Sequence, residues 1–169
     1  MTSISDLLGE ASFAEEQLRV CLDGKLLSKR REVHQRWAVA DDTKESLGAP
    51  SEKARVAEEL ADLDRQIRAK AHVFTIRAVG GPRWQELLNA HSDPEGKLAF
   101  STATFPPAAM ALCVVDPAMS EDEARQLMSV LNAGETSRIV NTIVAVNTRD
   151  GDVPFGVDNY DETPPDVSS

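Results

Sequence analysis

Phe105-Pro106-Pro107 and Asp116-Pro117 bracket a stretch, Ala108 to Val115, that is apolar on every side. Proline is tolerated in the first turn of a helix, where its missing N–H has no intrahelical partner. The residue before a proline is pushed out of the helical region. The bracket therefore predicts one helix, opened at Phe105 with Thr104 as its cap and stopped at Asp116. A helix apolar all round belongs at the centre of a fold, with other helices laid against it.

Those other helices are legible on both sides. Gly80-Gly81-Pro82 opens a helix in which Trp84, Leu87, Leu88 and His91 share a face, and Ser92-Asp93-Pro94-Glu95-Gly96 follows as a loop. Ser120-Glu-Asp-Glu123 has capping-box spacing, and Ala124, Leu127 and Leu131 form an inward stripe that Asn132-Ala-Gly134 is expected to end. A last helix from about Glu135 to Asn147 carries Ile139, Val140, Ile143, Val144 and Val146.

Upstream, the strongest periodicity lies between Glu52 and Lys70, where Val56, Leu60, Leu63 and Ile67 form one stripe behind Ser51 as N-cap. A second helix, Lys25 to about Asp41, sets Leu26, Val33 and Trp37 along one face. The break at Gly48-Ala-Pro50 joins the two into a hairpin. Two stretches with strand character bracket it. Leu18 to Leu22 alternates, and Ala71 to Val79 puts Phe74, Ile76 and Ala78 on one side. Paired antiparallel, they clamp the hairpin's base.

The fold class that follows is mainly α: a helical bundle with a projecting helical hairpin and a small two-stranded antiparallel sheet. Residues 1–16 read as an N-terminal segment and residues 17–148 as one mainly helical domain, divided into a hairpin at 25–70 and a helical core at 81–148. Residues 149–169 read as a disordered acidic tail. After Arg149 come six acidic residues, no basic one, and too little apolar surface to offset the entropy of ordering.

Charge and composition exclude several functions. A formal net charge of −10 argues against a binder of the phosphate backbone, which needs clustered Lys and Arg. No apolar run approaches the roughly 20 residues that span a bilayer. The first residues carry Asp6, Glu10, Glu15 and Glu16 instead of a basic leader, so a soluble intracellular protein is expected. Cys21 and Cys113 sit far apart in apolar surroundings and read as buried free thiols.

Catalytic constellations are missing from the pattern. His34, His72 and His91 lie at no ligand spacing to one another or to a cysteine. Asp150-Gly-Asp152-Val-Pro154 begins like a calcium loop, but proline takes the fifth position and Phe155 the sixth, where an oxygen ligand and a glycine belong. Glu121, Asp122 and Glu123 have a structural reason in the first turn of a helix. In Met110-Ala-Leu-Cys113-Val-Val the thiol is desolvated, which raises its pKa, where a nucleophile needs the reverse. The expectation is a protein without enzymatic activity and without cofactor or metal.

The order of elements carries one further signal. Leu18-Arg-Val-Cys-Leu22 with Asp23-Gly24, the charged hairpin, Val73-Phe-Thr-Ile-Arg77, Arg83-Trp84-x-x-Leu87-Leu88-x-x-His91, Phe105-Pro-Pro107, Val115-Asp-Pro117 and the closing Ala145-Val-Asn147 resemble the tail assembly chaperones of long-tailed actinobacteriophages. The likeness runs from about Leu18 to Asn147. It departs after His91, where the family's proline-rich continuation is replaced by Ser92-Asp93-Pro94.

The resemblance implies a non-enzymatic virion-assembly factor of the host cytoplasm, absent from the finished particle. Its implied partners are the tape-measure protein and the tail-tube protein; self-association is left open by the sequence, and charge and composition predict neither nucleic acid nor membrane. A structural tail or neck subunit is the alternative, and an acidic decoy of a host nucleic-acid-binding protein a third reading. Candidate partner-binding residues are Leu26, Val33, Trp37, Val56, Leu60, Leu63 and Ile67. That stripe has two uses open to it: to receive an amphipathic helix, or to close upon itself.

Overall fold

A computed structural model describes residues 3–41 and 48–149. The chain is mainly helical, with a three-stranded antiparallel sheet. In chain order the elements are α1 (Ile4–Glu10), β1 (Glu15–Val20), α2 (Gly24–Val39), α3 (Glu52–Lys70), β2 (His72–Arg77), α4 (Gly81–Ala90), α5 (Phe105–Cys113), β3 (Val114–Asp116), α6 (Glu121–Val130) and α7 (Ala133–Thr148). The expected acidic tail and the hairpin tip lie outside or largely outside the described residues.

Local signals set most of the helix ends. Ser51 accepts the Ala54 N–H and starts α3, which ends at Lys70 as its pattern predicts. Ser120 and Glu123 form a reciprocal capping box at the start of α6. Pro82 and the pair Pro106-Pro107 sit in the first turns of α4 and α5. Thr104, expected to cap α5, makes no cap bond with its side chain; Ser101 takes that work, its hydroxyl accepting from Thr104 N–H and its carbonyl from Phe105 N–H.

Five expectations change once the chain is folded. The sheet has a third strand, because α5 stops at Cys113 and Val114–Asp116 pairs with β2 at Thr75 and Ile76. Asp116-Pro117, a cis peptide, ends that strand instead of the helix. β1 runs from Glu15 to Val20, earlier than Leu18–Leu22, because pairing with β2 sets Val20 opposite His72 and Asp23 then caps α2. Leu22 is left 45% exposed beyond the strand. Asn132 does not end α6; its side chain accepts the Glu135 N–H and opens α7. The N-terminal segment contributes α1 and the first turn of β1's pairing, so the expected boundary at residue 17 falls inside a strand.

β2 lies between β1 and β3, and its Phe74 and Ile76 are buried on the face that meets the helices. Phe105 is fully buried there, stacked on Phe100 at 3.9 Å between ring centroids and edge-on to Trp84 at 5.9 Å. Met110, Cys113, Ile139 and Ile143 complete this main core. Burying a side chain of that size stabilises by about 1.5–3 kcal/mol relative to exposure. The hairpin builds a second, separate core from Val33, Val56 and Leu63.

Candidate protein-binding surface

Six of the seven sequence candidates close upon one another. Val33, Val56 and Leu63 are buried between α2 and α3, and Leu26, Trp37 and Leu60 pack around them. Ile67 is half-buried and belongs to no core cluster. Of the two uses open to the stripe, the folded chain adopts the internal one.

Charged contacts lock the hairpin in that arrangement. Arg30 pairs with Asp64 and Arg36 with Glu59 across the two helices, and Lys70 bonds Asp23 at 2.7 Å across the base. The Lys70 ammonium and then the Leu26 N–H hold the Asp23 carboxyl below its ordinary range, while the same bond raises Lys70. Lys53 lies 5.3 Å from the centre of the Trp37 ring and His34 lies beside that ring. What the hairpin shows to a partner is therefore mostly charge, with five basic residues against one acid along α2.

Exposed apolar surface is concentrated where the sequence reading placed none. α1 buries no residue: Ile4, Leu7 and Leu8 are 70%, 52% and 68% exposed, and Phe13 beyond it is 59% exposed. Spacings of three and four put the three aliphatic side chains on one face. The helix is locally well specified. Ser3 and Asp6 form a capping box, and the Ser3 N–H followed by its hydroxyl hold the Asp6 carboxyl below its usual range. Ser3-x-x-Asp6 ahead of that spacing was the available signal; the acids of the segment masked it.

Two apolar grooves add to this surface. One, of about 500 Å³, lies among Phe100, Pro106, Met128, Leu131 and Val140. The other, about 470 Å³, runs past Leu22, Val73, Met119 and Leu127 near the hairpin's base.

Groups with catalytic potential are dispersed. His34 sits on α2, His72 opens β2, and His91 caps α4. Among the described residues no three His, Cys, Asp or Glu side chains gather into a metal-holding group. Cys113 is fully buried and its thiol pKa is raised by that burial, with Asn147 partly opposing the shift. Cys21 is a buried free thiol as well. Glu123 bonds the Ser120 backbone, and Glu121 and Asp122 bind Arg125. The Asp150–Pro154 stretch lies outside the described residues. Among the described residues no helix is long and apolar enough to cross a membrane.

Comparison with protein-family models, with curated proteins and with solved structures returns no match.

Proposed function

We propose that this chain is a non-enzymatic binding protein of the tail assembly chaperone type, which holds the tape-measure protein in solution while the tail tube forms around it. The observation that carries the binding role is α1, a capped helix whose Ile4, Leu7 and Leu8 are exposed and belong to neither core of the described residues. Helices this short are marginal alone in water, so an exposed apolar face on one is matched to a surface outside the molecule. A chaperone of a long helical client needs such a face on a charged frame. The assignment of the client rests on the motif order from Leu18 to Asn147.

Co-expression with the tape-measure protein tests it. A soluble complex is expected from the wild type, and Leu7→Ser with Leu8→Ser is expected to lose most of it without unfolding the chaperone. A client that stays insoluble beside the wild-type chain overturns the reading. Stoichiometric presence in purified particles, read by mass spectrometry, replaces it with a structural virion subunit.

A further inference from the structure

β1 is an edge strand whose hydrogen-bonding capacity is half used. Its register places Glu16, Leu18 and Val20 opposite Ile76, Phe74 and His72. The Ala14 carbonyl, at the preceding even position, accepts the Ala78 N–H at 2.8 Å. In an antiparallel ladder the bonded pairs alternate, so Glu15, Gln17 and Arg19 aim their N–H and C=O groups at the free edge. The Arg19 carbonyl demonstrates this direction by accepting from the Arg138 guanidinium. A row of such groups is a template for another strand.

Space for a strand lies beside it. An open groove of about 370 Å³ runs between Glu16 and the outer face of α7, where Gly134, Ser137, Thr142 and Ala145 are small. α7 itself lies over both β1 and β2. The long side chains on that groove are Arg138, which reaches the Arg19 carbonyl, and Arg149, which lies 3.8 Å from Glu16; both are exposed and swing aside when a neighbour joins the sheet.

We propose that the occupant is β1 of a second copy of this chain, paired antiparallel about a two-fold axis at Gln17. The charges choose the partner and the register. With Gln17 opposite Gln17, Glu15 of each copy, which also pairs with Arg77 of its own chain, faces Arg19 of the other, giving two opposite-charge pairs on the solvent side. A shift of two residues either way sets Gln17 against a charge and breaks both pairs. The pattern Glu-x-Gln-x-Arg is thus complementary to itself when reversed, which is what an isologous interface requires. On pairing, Arg138 leaves the Arg19 carbonyl to the N–H of Glu15 of the second copy and keeps its ion pair with Glu135 at 2.8 Å. Two three-stranded sheets become one continuous sheet.

Sedimentation equilibrium of the full chain with charge-reversed variants tests the proposal. The wild type is expected to sediment at twice its 18.4 kDa. Arg19→Glu alone, or Glu15→Arg alone, sets like charges face to face and weakens the dimer by at least about tenfold, the effect of a change near 1.4 kcal/mol. Mixing the two variants restores opposite charges at both contacts, so a heterodimer is expected where neither homodimer forms. Circular dichroism confirms that each variant is folded. A wild type that stays monomeric at its highest soluble concentration, a dimer indifferent to Arg19→Glu, or a mixture of folded variants that fails to associate overturns it.

Discussion

The side-chain oxygen of Asn147 accepts the backbone N–H of Val79 at 2.8 Å, joining the last turn of α7 to the end of the sheet. The same amide donates to the Ile143 carbonyl at 2.8 Å and to the Cys113 sulfur at 3.7 Å. One side chain thus satisfies a backbone donor at the end of β2 and anchors α7 over the core. Asn147→Leu removes the acceptor and strands the Val79 N–H, at a cost of about 1–3 kcal/mol. A lower urea midpoint with an unchanged slope checks it.

Core and surface apolar residues separate cleanly. Ile143 is fully buried, so Ile143→Ala is expected to lose about 2–5 kcal/mol. Leu8 is 68% exposed, and Leu8→Ser stays within about 0.5 kcal/mol. Chemical denaturation of the two variants distinguishes them, and only Leu8→Ser is expected to impair client binding in a folded protein.

The hairpin's separate core makes it a separate unit of stability. Ser51→Ala removes the bond to Ala54 N–H and is expected to cost about 1 kcal/mol. Hydrogen exchange should speed up across α2 and α3 while the amides around Ile143 keep their protection. Equal acceleration in both regions contradicts two cores.

Acid weakens the hairpin and the capped helices together. Asp23, Asp62 and Glu123 are held below their ordinary values, Asp23 chiefly by Lys70, Asp62 by Gln66, and Glu123 by the Ser120 N–H. A depressed folded pKa contributes stability above the unfolded value and loses it as pH falls through the folded one. The melting temperature is therefore expected to hold at neutral pH and to drop from about pH 4 downward. Asp23→Asn keeps the cap, removes the Lys70 ion pair, and should flatten that drop. At the alkaline end the sign reverses: Lys70, raised from 10.5, loses its contribution as pH climbs through its folded value.

Thiol reactivity follows burial. Cys113 is fully buried with a raised pKa, so a thiol reagent at pH 8 is expected to label it only on unfolding. Rapid labelling of native Cys113 contradicts this.

Much of the helical layout is readable because its signals are local. Ser51, the Ser120/Glu123 box and the first-turn prolines act within a few residues, and the predicted ends of α3 coincide with the observed ones. β3 was not readable. Val114 and Val115 continue the apolar pattern of α5, and only the free side of β2 turns them into a strand. Asn132 bears a helix-ending and a helix-starting signal at once, and the packing of α7 decides for the second.

The candidate surface divides along the same line. By itself the sequence determined which residues are apolar and at what helical spacing, because periodicity and caps depend on neighbours in the chain. Only the tertiary structure decided which of those faces are consumed. Val33, Val56 and Leu63 find each other across the hairpin, whereas Ile4, Leu7 and Leu8 stay exposed and join neither core of the described residues. The physical reason is that burial is a property of pairs of surfaces, and a stripe becomes core or interface according to what the fold sets against it.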